Sequence, residues 1–178
     1  MFKLNAKQLR KQNSKFNSPS GARSSKLRKN DIYIVLDNVL DTYNIGSIFR
    51  LADAVAAKKI YLCEGTETPP NHRIKKASIN TTEVVEWTYK ETAVEAINDL
   101  RLTINDIQVV AIEQSKKSVP YDKFDYKLPI CLIVGNETTG VSKEVLDIAD
   151  VIVELPMFGV NKSLNVMVSL GIVLYQVI

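Results

Sequence analysis

The chain has 178 residues, 46% hydrophobic and 24% charged, with two Cys and one His, a size at which a single domain buries about 70% of its unfolded surface without disulfide or metal staples. Nine of the 23 Lys and Arg and none of the 20 acidic residues fall within residues 1–30, so a strongly basic arm precedes a mildly acidic globule, the charge pattern of a protein that meets a polyanion. One His and two Cys exclude a four-ligand zinc site built without carboxylates, and Cys63 and Cys131, far apart in apolar runs, read as buried thiols of a reducing compartment.

The N-terminus, MFKLNAKQLRKQ, lacks the apolar core of a signal peptide. Residues 3–12 can form a short basic helix, and residues 13–30, rich in Ser with Pro19 and Gly21, read as a flexible linker or an arm that orders on its partner. Residues 31–178 form the expected folded domain. Residues 32–36 (IYIVL) are a short β-rich run of the kind covered on both faces. Ile45, Ile48, Ala52 and Val55 recur at helical spacing, residues 59–63 (KIYLC) form a second strand, and residues 83–87 and 108–112 (QVVAI) two more. Ala93, Ile97 and Leu100 mark a helix between those two, and residues 130–134 (ICLIV) are the most apolar strand. A helix near residues 143–149, a short strand at 151–154 and a closing helix from about Ser163 to Ile178 complete the pattern. Alternation of this kind predicts an α/β fold, a mostly parallel sheet flanked by helices.

The closing helix is apolar nearly all round: Leu164, Val168, Ile172 and Tyr175 share one face, with Val166, Val173 and Val177 on others. Such a helix is buried on more than one side, and in a chain this small the second cover is another subunit. Its apolar stretch is interrupted by Asn165, Ser169 and Gln176 and is shorter than the ~20 residues that span a bilayer. A cytoplasmic protein without membrane association is expected.

Parallel α/β sheets bind nucleotide-type ligands at the carboxyl ends of their strands. The G-x-G-x-x-G and Walker sequences are both absent, and His72, in a PPNHR turn with no nucleophile beside it, reads as a surface loop residue. Three strand-to-helix connections concentrate Gly, Asn and ionisable groups. In DTYNIGSIFRLAD, Asn44 either caps a helix or serves a ligand, and Arg50 either pairs with Asp53 or holds a phosphate. In IVGNETTGV, Gly135 ends the most apolar strand, Gly140 precedes a helix that Ser142 can cap, and Glu137 lies between them. In ELPMFGVNKSLNV, Ser163 can cap the closing helix with Asn165 in its first turn.

Taken together, N-x-G-x-x-x-R at 44–50, V-G-x-E-x-x-G at 134–140 and L-P-M-x-G-x-x-x-S-L-N-V at 155–166 resemble the three motifs of the SpoU-type (TrmH-like) RNA 2′-O-ribose methyltransferases of the SPOUT superfamily, over residues 31–178. The resemblance implies a C-terminal trefoil knot in the sheet, S-adenosylmethionine as cofactor, RNA (tRNA or rRNA) as partner, and a homodimer through the last helix; the short basic arm, with no large folded substrate domain, favours tRNA over rRNA. It implies cofactor contacts at Ile112, Gly135, Leu155, Met157, Gly159 and Leu164, with Gly135 and Gly159 permitting close approach, and it calls for no metal. It also implies that Arg50 clamps the phosphate beside the target ribose, that Asn44 and Glu137 orient Arg50, and that Ser163 and Asn165 hold the nucleotide or the motif loops. An arginine, with its pKa above 12, suits a clamp better than a base. Thr42, Leu51, Ala56, Val141 and Met167 depart from the family's usual Pro, Thr, Gly, Leu and Ser, all at packing or loop positions. The alternatives are a non-catalytic RNA-binding protein on the same scaffold, a methyltransferase acting on a base, and an unrelated α/β nucleotide binder.

Overall fold

The structure, a computed structural model, describes residues 29–178. The short helix expected at 3–12 and all but the end of the basic arm lie outside the described residues. The described residues form seven strands and five α-helices in the order β1 (Asn30–Asp37), α1 (Thr42–Ala54), β2 (Ala57–Cys63), α2 (His72–Ser78), β3 (Trp87–Lys90), α3 (Ala93–Thr103), β4 (Gln108–Ile112), β5 (Val119–Pro120), β6 (Ile130–Gly135), α4 (Lys143–Ile148), β7 (Val151–Glu154) and α5 (Val166–Val177). The strands form one sheet in the order β3-β2-β1-β6-β4-β7-β5, parallel at every pairing.

Both faces of the sheet are covered, which is why its central strands read as unbroken apolar runs. On β1, Ile32, Ile34 and Leu36 face one way, packing with Ile45, Ile48 and Phe49 of α1 and with Leu170, Val173 and Leu174 of α5. Tyr33 and Val35 face the other way, towards Ala96, Ile97 and Leu100 of α3 and Val145 of α4. Cys63 and Cys131 are buried free thiols on this second side, and burial pushes the Cys63 thiol up to about 12. Ala56, at the turn from α1 into β2, has φ 51°, a left-handed conformation that glycine adopts more readily.

The sheet edge differs from expectation. Residues 83–87 do not form a strand: Ile79 and Asn80 take left-handed φ of 51° and 66°, end α2, and lead into a 3₁₀ turn at Thr81–Glu83. Val85 alone of that run is fully buried, Val84 is exposed, and pairing with β2 begins only at Trp87, opposite Ile60. The helix α2 lies where a turn was read. Asn71 caps it, accepting hydrogen bonds from Arg73 N and Ile74 N, and with only Ile74 and Ser78 buried it carries no periodic apolar signal. The two-residue β5 was likewise invisible in the sequence pattern.

The closing helix begins later than expected, at Val166. One side packs into the core, while Leu164, Val168, Ile172 and Tyr175 remain exposed, at 42%, 40%, 36% and 60%. No helix among the described residues is long and apolar enough to cross a membrane.

Candidate functional site

The carboxyl ends of β4, β6 and β7 and the loops that follow them enclose a cleft of about 460 Å³, within the range of small-ligand sites. Ile112, Gly135, Leu155, Met157 and Leu164 line it, as do Glu137, Ser163 and Asn165. Gly159 does not: it is exposed and a Cβ there would meet nothing within 4 Å, so close approach does not demand this glycine. Gly135 is a tight position, because a Cβ would lie 2.2 Å from the carbonyl carbon of Gly140 and from Val141 N.

The three motif segments meet in one chain of hydrogen bonds. Glu137 accepts from Leu40 N and Asp41 N, both at 3.1 Å, and from Asn44 Nδ2 at 3.0 Å. Asn44, only 6% exposed, in turn accepts from Asn165 Nδ2 at 2.9 Å through its Oδ1. Asn165 Oδ1 accepts from Met167 N and Val168 N and so caps α5. Burial pushes the Glu137 carboxyl up, but the bonds from Asn44, Leu40, its own amide and Asp41 outweigh this and hold it below the usual range.

Several local roles therefore differ from those read in the sequence. Asp41, not Asn44, caps α1, accepting from Tyr43 N at 2.8 Å. Asn165, not Ser163, caps α5, and Ser142 makes no side-chain cap of α4. Glu137 and Asn44 make no hydrogen bond to Arg50: their bonds run to the loop before α1 and to Asn165. Arg50 lies on the exposed side of α1, outside the cleft lining and about 9 Å along the helix from Asn44 at 1.5 Å per residue. Among the described residues it has no hydrogen-bond or ion-pair partner, Asp53 included.

The sequence reading passed over Glu113, Gln114, Asn136 and Glu154, all of which line the cleft. Glu113 directly follows an apolar strand, which is the place where α/β sheets bind ligands, and that signal was available. Asn136 shapes its loop: its Oδ1 accepts from Thr138 N and Thr139 N, and its backbone pairs with Gly140 in both directions. Gln114 Nε2 donates to Lys162 O at 2.6 Å, tying the β4 end to the loop before α5. The lining contains three carboxylates (Glu113, Glu137 and Glu154) and no Lys or Arg, a donor set that fits a ligand bearing positive charge.

Residues 31–175 match the SpoU rRNA Methylase family. The chain is 36% identical over 156 residues to a tRNA (guanosine(18)-2′-O)-methyltransferase of Aquifex aeolicus, covering 84% of this chain and 69% of that protein. It is 28% identical over 151 residues to the protein of the same name from Escherichia coli K12, covering 84% of this chain and 63% of the relative. Among solved structures, the A. aeolicus TrmH/SpoU tRNA modifying enzyme superposes with a TM-score of 0.75 at 34% identity, over 84% of this chain and 75% of that one. An AdoMet-bound rRNA methyltransferase from Sinorhizobium meliloti gives 0.76 at 30% identity, over 84% of this chain and 56% of that one. The chain thus spans between about half and three quarters of the proteins it resembles.

Proposed function

The chain belongs to the SpoU rRNA methylase family, and from that premise we propose that it transfers the methyl group of S-adenosylmethionine to a ribose 2′-hydroxyl of RNA, with tRNA as substrate. The observation that carries this reading is the Glu137–Asn44–Asn165 chain, which brings three segments far apart in sequence to the mouth of one cleft. The relative at 36% identity, named for guanosine 18 of tRNA, supports tRNA over rRNA.

The cleft suits the cofactor in size and in its excess of carboxylates, with Ile112, Gly135, Leu155, Met157 and Leu164 as its contacts. When bound, S-adenosylmethionine supplies an electrophilic methyl carbon on a sulfonium. It would supply that methyl to a ribose 2′-oxygen, the sulfonium becoming a neutral thioether and the hydroxyl proton passing to water. Arg50, which has no hydrogen-bond or ion-pair partner among the described residues, clamps the phosphate next to the target ribose and polarises its oxygen. Asn165 and Ser163 hold the nucleotide beside the cleft. Glu137 and Asn44 keep the loop before α1 and the start of α5 in fixed relation, which holds Asn165 at the cleft.

The segment between β7 and α5 returns across the carboxyl ends of β4 and β6 to reach α1, and we read this return as the trefoil knot of the family. The exposed stripe of Val168, Ile172 and Tyr175 is the surface of a homodimer. The arm of residues 1–30 supplies salt-sensitive contacts to RNA phosphates, joined by Arg73, Lys75 and Lys76 of α2.

The test is transfer of labelled methyl from S-adenosylmethionine to tRNA and rRNA from a strain lacking the protein, followed by nucleoside analysis. A 2′-O-methylated guanosine in tRNA is expected. Label recovered on a base, or cofactor binding without transfer to either RNA, overturns the reading.

A further inference from the structure

Two carboxylates outside the catalytic set converge on the loop that follows β6. That strand lies between β1 and β4 in the sheet, and its last residue, Gly135, pairs with Asp37 of β1. From the β1 side, Asp37, only 1% exposed, accepts a hydrogen bond from Ser142 N at 2.8 Å. From the β4 side, Glu113 accepts from Val141 N at 2.9 Å through Oε2, while its Oε1 accepts from Gln114 N at 2.8 Å. Successive amides of one loop are therefore held by two carboxylates, one at the end of β1 and one just past the end of β4.

The loop is fitted closely to these groups. Gly140 has φ 73°, which strains any side-chain-bearing residue, and a Cβ there would lie 2.1 Å from Glu113 Oε2, so a side chain would also push that carboxylate off the loop. Asp37 Oδ1 is buried and has no hydrogen-bond partner among the described residues. A carboxylate is an unfavourable group to bury with one oxygen unsatisfied. Packing alone would favour an apolar residue at this position, where the strand's other inward side chains are apolar.

We propose that Asp37 and Glu113 are positioning residues that clasp the 135–142 loop from both sides and hold it in the shape that binds the cofactor. The clasp rests on the cofactor reading above for its purpose, but its mechanics are measurable without any ligand. The amides of Val141 and Ser142 are ordered by side-chain carboxylates rather than by the sheet ladder, so their protection from exchange depends on those two residues alone.

The experiment is amide hydrogen exchange of Val141 and Ser142 in the full chain without ligand, paired with cofactor binding and steady-state kinetics. Glu113→Ala is expected to speed exchange at Val141 about tenfold, the effect of one lost hydrogen bond to a charged acceptor. It raises the cofactor KM by a similar factor, with kcat at saturating cofactor falling much less. Glu113→Gln keeps an acceptor for the amide and restores both readouts to within about threefold of wild type. Asp37→Asn preserves protection at Ser142, and Asp37→Ala removes it; should Asp37→Ala not fold, the Glu113 pair decides. Unchanged Val141 exchange in Glu113→Ala, or a Gln variant as impaired as the Ala variant, overturns the clasp. A wild-type protein that binds no S-adenosylmethionine overturns the cofactor reading instead, and the exchange data still judge the clasp.

Discussion

Replacing Glu137 with Ala tests whether this carboxylate holds the site together rather than merely facing solvent. The substitution strands three donors: Leu40 N, Asp41 N and Asn44 Nδ2. The two amides belong to exposed residues and regain water, so each bond counts for about 0.5 kcal/mol, whereas the donor on buried Asn44 costs about 1–2 kcal/mol. The sum, about 2–3 kcal/mol, corresponds to a fall in Tm of about 4–12 °C for a domain of this size. Urea unfolding followed by circular dichroism measures it directly. The Gln variant loses less, because one oxygen still accepts.

Protonation supplies a second check. The folded-state pKa of Glu137 is lowered, so its contribution is fully present above the unfolded carboxylate value, about 4.3, and is lost as the pH falls through the folded value. The stability gap between wild type and Glu137→Gln therefore closes on the acid side. Equal unfolding midpoints for wild type and Glu137→Ala at neutral pH, or a gap that does not change on acidification, would refute the reasoning.

Arg50→Ala is expected to abolish methyl transfer while cofactor binding, by calorimetry, and stability, to within about 0.5 kcal/mol, stay as in wild type, since Arg50 is exposed and has no hydrogen-bond or ion-pair partner among the described residues; near-normal turnover removes it from the mechanism. Deleting residues 1–28 removes eight of the basic residues, and RNA binding should weaken with a shallower dependence of log K on log salt, falling by about 0.7–0.9 for each lost phosphate contact; an unchanged slope counts against the arm. Ile172→Asp places a charge in the exposed stripe of α5, and sedimentation should show monomers where wild type sediments as a dimer. Ala56→Gly relieves a left-handed φ of 51° and should raise stability by about 0.5–1 kcal/mol after the entropy of the extra glycine, read from the shift in urea midpoint.

The chain by itself determined the class of fold and the segments that line the cleft. Runs such as 32–36 and 130–134 are apolar at every position, and only a strand covered on both faces tolerates that, so the parallel α/β architecture is written locally. The three motifs are local strings as well. Tertiary structure decided the rest. Which residue caps a helix depends on the backbone angles at that position, so Asp41 and Asn165 took roles that Asn44 and Ser163 were equally equipped to fill. The strand expected at 83–87 gave way because two left-handed residues before it turned the chain. The partners that define the site lie far apart in the chain: Glu137 lies 93 residues from Asn44, Asn165 lies 121 from Asn44, and Asp37 lies 105 from Ser142. No pattern along the chain encodes such distances. The strand order sets β6 between β1 and β4, and that order brings buried Asp37 at the end of β1 and half-buried Glu113 just past the end of β4 to the same loop.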